Sequence, residues 1–183
     1  MADSVIGGKG CDGRMETIVA LLRAVNVGGT GKLPMTELRL MAAAAGLLDV
    51  RTYIQSGNLV FSTADDPAAV KEALETSLEA YAGKPVGVIV RTAQELRAVL
   101  DANPFPSAEP SKVGVLFLDT PPPSATIKEA KGQVDQEIEL GEREIFIHYP
   151  SGMGRSKLRL ASMSEGTVRN INTVANLVKM STR

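Results

Sequence analysis

Tryptophan is absent from this chain of 183 residues, and aromatic residues make up only 4% of it. A core built from such a chain must rest on Leu, Val, Ile, Ala and Met. Few rings are left to stack the successive bases of a single-stranded nucleic acid, which counts against that kind of platform. There is one Cys, Cys11, and one His, His148. A lone thiol makes no internal disulfide, and one His with one Cys cannot assemble a zinc cluster, so no metal site is expected. This usage fits a reducing, cytoplasmic compartment. No apolar run approaches the roughly 20 residues that span a bilayer, and residues 1–14 lack the apolar stretch of a secretion signal. No membrane partner follows from the sequence, and nothing in it calls for a cofactor.

The chain is long enough to bury a core without staples. Its 44% hydrophobic and 22% charged residues are those of a globular protein. The formal net charge is −1, yet the charge is segregated. From Ser151 onward, Arg155, Lys157, Arg159, Arg169, Lys179 and Arg183 face a single acid, Glu165, whereas acids dominate between Ala93 and Pro150. A segregated positive region attracts anions.

Residues 1–14, rich in Gly and followed by a second Met, read as a disordered leader or expression remnant outside the fold. From Met15 the pattern alternates. Thr17–Val25 is an apolar strand. Pro34 opens a helix with Met35, Leu38, Met41, Ala42 and Ala45 on one face, ended by Gly46. Val50–Gln55 and Asn58–Ser62 are strands around the turn Ser56-Gly57-Asn58. Asp66-Pro67 caps a second helix whose buried stripe is Val70, Leu74, Leu78 and Tyr81. Val86–Arg91 is a further strand. This β-α-β-β-α-β order is the ferredoxin-like unit.

Thr92-x-x-Glu95 is a capping box that starts another helix. Lys112–Leu118 is a strand and a short helix follows through Ile127 and Ala130. Val134–Leu140 and Glu144–Tyr149 form a hairpin with Glu137, Glu139, Glu142 and Glu144 on a wet face, and Ser156–Met163 and Asn170–Met180 close the chain as helices. The expected architecture is α+β: two ferredoxin-like halves, 15–91 and 92–183, packed together, with antiparallel sheets and helices on one face. The duplication is one of elements, with no residue-level repeat visible.

Three stretches taken together resemble one family. They are Leu22-Arg23-Ala24-Val25-Asn26-Val27-Gly28-Gly29 with Lys32-Leu33-Pro34-Met35, then Tyr53-Ile54-Gln55-Ser56-Gly57-Asn58-Leu59-Val60-Phe61, and Gly154-Arg155-Ser156-Lys157-Leu158 with Thr167-Val168-Arg169-Asn170-Ile171-Asn172-Thr173-Val174. Asn103-Pro104-Phe105-Pro106 fits as well. The chain after Met15 is similar to the bacterial domain-of-unknown-function family 1697. The resemblance implies an α+β fold with ferredoxin-like halves and carries no established activity. The chain departs from that family at Ile171, where Trp is usual, which favours packing over ring stacking there.

Gly28-Gly29-Thr30-Gly31-Lys32 lies where a P-loop would, but Asn26 replaces its first Gly and Leu33 its Ser/Thr. A plain turn and an anion-binding loop using Lys32 both remain open. Arg23 in an apolar strand, with Asn26 beyond it, either pairs or faces solvent, or lines a cleft. Arg155, Ser156 and Lys157 at one expected helix start, and Thr167, Arg169 and Asn170 at another, offer backbone N–H groups and cations to an anion. The ligand-binding candidates are therefore Arg23, Asn26, Lys32, Arg155, Ser156, Lys157, Arg169 and Asn170. No catalytic residue is assigned. His148 has no fixed carboxylate or nucleophile beside it in sequence. The sequence favours an anion-binding protein whose partner is a phosphate-bearing small molecule or nucleic acid. An enzyme acting on a phosphorylated metabolite and a homodimeric interaction module are the alternatives.

Overall fold

The computed structural model describes residues 13–25 and 32–182. The expected leader lies outside these residues apart from Gly13 and Arg14, and so does Asn26.

Two four-stranded antiparallel sheets organise the molecule. The first contains β1 (Glu16–Leu22), β2 (Leu48–Thr52), β3 (Asn58–Thr63) and β4 (Val88–Thr92) in the order β2-β3-β1-β4. The second contains β5 (Val113–Phe117), β6 (Glu137–Leu140), β7 (Glu144–His148) and β8 (Thr167–Asn170) in the order β6-β7-β5-β8. Both orders are the same ferredoxin-like permutation. The α+β, two-half architecture is the one the sequence implies.

In the first half α1 (Met35–Ala44) and α2 (Pro67–Ala82) cover one sheet face. Alternation within β1 sends Ile18, Ala20 and Leu22 into that layer and Val19 and Leu21 to the opposite face. The local signals act as expected. The Asp66 carboxylate accepts the Ala68 N–H at 2.8 Å, Pro67 sits in the first turn, and Gly83 ends α2 at φ 69°. The Thr92 hydroxyl accepts from Glu95 N at 3.0 Å while Glu95 accepts from Thr92 N at 2.9 Å, starting α3 (Ala93–Asp101).

The helices are not confined to one face. α3 and α4 (Ile171–Ser181) follow the last strand of each half and lie between the two sheets. Leu96, Val99, Val174, Leu177 and Val178 meet Val19, Val60 and Ile89 of one sheet and Val115, Phe117 and Phe146 of the other. Ile171 is buried in this layer, so packing alone accounts for it.

The second half lacks the crossover helices of the first. Residues 124–129 form turns, not the helix expected through Ile127 and Ala130, and Val134 is 87% exposed before β6 begins. The helix expected over Ser156–Met163 is also absent. Short 3-10 turns occupy Met153–Arg155 and Ala161–Ser164, and between them Lys131 and Arg159 exchange both backbone hydrogen bonds, at 3.0 and 2.8 Å. The reason is the period: Leu158 and Leu160 are buried and Arg159 is exposed, an alternation of two that a strand-like bridge satisfies and a helix does not. Thr167-Val168-Arg169-Asn170 is a strand, and its last residue is the cap, with Asn170 Oδ1 accepting from Asn172 N at 2.9 Å.

A residue-level repeat does exist at the junction of the halves. Arg91 in β4 donates to the carbonyls of Val90 (2.9 Å), Leu118 (2.7 Å) and Arg143 (3.3 Å), and its Nε to Glu144 Oε1 (3.0 Å). Arg169 in β8 donates to the carbonyls of Val168 (3.0 Å), Leu22 (2.8 Å) and Gly57 (3.3 Å), and its Nε to Asn58 Oδ1 (2.6 Å). Each arginine reaches from its own fourth strand into the opposite half. There it meets the carbonyl at the end of the first strand, the hairpin, and the first residue of the third strand. Glu144 is thus buried in an ion pair and not on the wet face of its hairpin.

Candidate functional site

Arg23 follows directly on β1. Its N–H donates to Gly87 O at 2.8 Å, and Ala24 turns the chain away at φ 50°. The side chain runs over Gly87, where an added Cβ would stand 2.7 Å from Arg23 Cδ and 2.9 Å from Nη1. Gly87 therefore leaves the room that the guanidinium occupies beside the start of β4. Nη2 donates to the Ser164 carbonyl of the second half. The Nε–H is shielded and has no hydrogen-bond partner. Among the described residues no carboxylate pairs with Arg23.

This arginine lines a cleft of about 610 Å³ between the halves, with Glu75 and Glu79 of α2 on one side and Ser164 and Gly166 on the other. Glu75 is partly committed, since Oε1 accepts from Val88 N at 2.8 Å and lies 3.9 Å from Lys71 Nζ. Lys71 in turn reaches Asp119 of the second half at 2.5 Å. A second cleft of about 230 Å³ adjoins the first, because Ala24 and Val86 line both. Its walls are Val25, Leu33, Leu78, Tyr81 and Ala82, and its charges are Lys32 and Lys84, with no acid in the lining among the described residues. Across the two clefts the cations outnumber the acids. The acids sit at one end, and the lysines at the other, so the field favours an anion at the Lys32/Lys84 end.

The expected site residues do not all gather here. Arg23 and Lys32 do. Arg155, Ser156, Lys157, Arg169 and Asn170 line neither cleft. Arg155 and Lys157 are exposed on a segment that is not a helix start, and Ser156 Oγ accepts from Leu158 N at 3.2 Å. Asn170 caps α4 and donates from Nδ2 to Ser111 O at 2.9 Å. Arg169 is 6% exposed, with every guanidinium nitrogen donating inside the protein. Burial lowers its pKa to about 10, leaving it a cation at neutral pH. Its partners are carbonyls, the Thr167 hydroxyl and the Asn58 amide, with no acid among them. It holds the two halves together and has no donor left for a ligand.

His148 does find a carboxylate, Glu137 Oε1 at 2.8 Å from Nδ1, and its ring lies 5.6 Å from that of Phe105. Neither cleft includes it. Lys84 and Gly87 were not singled out by the sequence, and Tyr81 was expected in the buried stripe of the second helix. Tyr81 falls in the helical stripe by period but is 49% exposed at the end of α2. Gly87 carried a usable signal: a glycine just ahead of a β-branched strand, with no turn to explain it.

Fold and site together define a two-half α+β protein with a charged cleft between the halves. The chain belongs to the family described as "Protein of unknown function (DUF1697)", which matches residues 15–146. Its structure is similar to that of the conserved bacterial protein SP0830 from Streptococcus pneumoniae, with a TM-score of 0.77 and 24% identity over 93% of this chain and 100% of that one. That likeness concerns the fold. None of the curated proteins matches the chain. No helix among the described residues is long and apolar enough to cross a membrane.

Proposed function

We propose that the protein binds a small anionic molecule, carrying phosphate or carboxylate, in the paired cleft, with Arg23, Lys32 and Lys84 supplying the positive charge. The observation that carries this reading is Arg23. A half-buried guanidinium in the wall of a 610 Å³ cleft has no carboxylate partner among the described residues, and its Nε–H is shielded without an acceptor. Such a cation is costly to leave unpaired, and an anion in the cleft neutralises it. Gly87 supports it, since any side chain there would push the guanidinium aside. The reading is one of binding. The Ser164 hydroxyl, across the first cleft from Glu75 and Glu79, donates to Ala161 O at 2.9 Å. The single thiol supports placing this activity in the cytoplasm.

Calorimetric titration with inorganic phosphate, pyrophosphate and a short single-stranded RNA, at low and at moderate salt, tests the proposal. Binding of the small anions is expected to weaken at least tenfold in Arg23→Ala, because a charged hydrogen bond contributes about 1.5–3 kcal/mol. Gly87→Ala is expected to weaken it similarly through the displaced guanidinium. Arg155→Ala/Lys157→Ala should leave it unchanged. Absence of small-anion binding at low salt, or equal losses in the cleft and tail variants, rejects the proposal. RNA binding abolished by the tail variant alone moves the site to the tail.

A further inference from the structure

The second cleft shows what else such a ligand carries. We infer, resting on the anion-binding reading above, that the ligand is amphipathic: an anion joined to an aromatic ring system, with the ring in the apolar lobe beside Tyr81 and the anionic group between Lys32, Lys84 and Arg23.

Three observations lead there. First, the lobe is apolar on its walls and cationic at its margin: Val25, Leu33, Leu78 and Val86 provide aliphatic surface, and among the described residues Lys32 and Lys84 are its only charges. An inorganic anion has no use for aliphatic walls, and a neutral apolar molecule has none for two ammonium groups. A molecule with both parts uses both. Second, the lobe opens into the larger cleft at Ala24 and Val86, so a group held by the lysines lies on the route to Arg23. Third, Tyr81 continues the stripe Val70, Leu74, Leu78 at helical spacing, yet those three are buried and Tyr81 is 49% exposed. The ring stands at the wall of the lobe with one side uncovered. Aromatic rings prefer offset or edge-to-face partners, which an aliphatic chain does not provide. Size agrees as well. An apolar cavity of about 150 Å³ accepts a benzene ring, so the 230 Å³ present here accommodates one ring or two fused rings.

The test uses the intact chain and four probes by calorimetry: inorganic phosphate, phenyl phosphate, 1-naphthyl phosphate and hexyl phosphate, with 1-naphthol as the uncharged control. The aryl phosphates are expected to bind at least tenfold tighter than inorganic phosphate. Hexyl phosphate should fall between them, and 1-naphthol should bind weakly. Tyr81→Ala, at an exposed position that the core does not need, should weaken naphthyl phosphate about tenfold, the loss of one stacking contact. It should leave inorganic phosphate unchanged. Naphthyl phosphate no tighter than inorganic phosphate, hexyl phosphate equal to naphthyl, or Tyr81→Ala weakening every probe alike overturns the ring assignment while leaving anion binding intact. Naphthol binding as tightly as naphthyl phosphate overturns the anion-binding reading itself, as does failure of every phosphate to bind.

Discussion

The two arginine junctions, built on one plan, differ in charge. Arg91 meets Glu144 in a buried ion pair at 2.7 Å, whereas Arg169 meets the neutral Asn58. The reason lies in the hairpins that present those partners. In the first half the turn is long, with Tyr53 N donating to Asn58 O at 3.1 Å. The second polar atom of residue 58 therefore faces the Tyr53 carbonyl and the Ser56 hydroxyl, both at 2.9 Å. That position requires a donor, which Asn has and Asp lacks. In the second half Gly141 N donates to Glu144 O at 2.8 Å across a tighter turn, and Glu144 Oε2 receives the Arg143 N–H at 3.1 Å. That position requires an acceptor. Turn length decides which side chain can receive the arginine, and through it whether the cation is neutralised. The lesson is that equal placement of two buried charges does not give them equal energetics.

This contrast predicts unequal responses to losing the arginine, the largest expected effect. Arg91→Met leaves the buried Glu144 carboxylate alone, which costs about 3–5 kcal/mol. Arg169→Met strands only neutral acceptors and also removes a desolvated cation, so the loss should be smaller, about 2–3 kcal/mol. Urea denaturation of both variants measures the difference. Arg91→Met/Glu144→Met should recover about 2 kcal/mol relative to Arg91→Met, because the unpaired charge is then gone. Equal losses in the two single variants, or no recovery in the double, would remove the energetic distinction between the junctions.

A smaller effect probes the hairpins themselves. Asn58→Asp offers Arg169 a carboxylate but turns an oxygen toward Tyr53 O. Glu144→Gln turns an NH₂ toward the Arg143 N–H. Each should destabilise by about 1–2 kcal/mol at neutral pH, since each leaves like atoms opposed. A stabilised Asn58→Asp variant would show that the missing charge, and not the turn, sets the first junction.

Much of this was legible in the sequence where the signal is local. Asp66-Pro67, the Thr92/Glu95 box and the apolar runs gave α2, α3 and the strands of the first half close to their observed bounds. The order of elements in that half gave its topology. What failed were statements that depend on distant partners. Residues 156–163 carry charges and apolar residues in a mixture that suits a helix until the bridge to Lys131 is seen. The repeat of Arg91 and Arg169 was hidden because the intervening connections differ in length and the partners, Glu144 and Asn58, differ in chemistry. The cleft was half legible. An arginine inside an apolar strand marks itself as unusual, but nothing near Arg169 in sequence says that three carbonyls from the other half will consume its donors. Lys84 and Tyr81 join Val25 and Lys32 in one cleft only because β4 returns beside β1.

The smallest expected effect appears in alkali and sharpens the comparison from a different side. Burial lowers the Arg169 pKa to about 10, so above that pH the native protein sheds this proton before the unfolded chain does. The unfolded state then binds more protons, and the contribution of Arg169 to stability rises as the pH climbs above about 10 toward the ordinary guanidinium value. Tyr149, in the second half, is shifted the other way: burial raises its hydroxyl above the usual 10.0. Its native state keeps the proton longer, so the stability it contributes is fully present below pH 10 and is lost as the pH climbs through the native value. The two effects oppose each other in the wild type. Tyr149→Phe removes the falling one and Arg169→Met the rising one. Urea midpoints between pH 8 and pH 11 should show the gap between wild type and Arg169→Met widening by about 1 kcal/mol above pH 10. The gap between wild type and Tyr149→Phe should move in the opposite sense. A gap for Arg169→Met that stays constant to pH 11 means that the carbonyls of Leu22, Ser56 and Gly57 hold the guanidinium charged. The neutral cage would then match the carboxylate of the other junction as a partner for a buried cation.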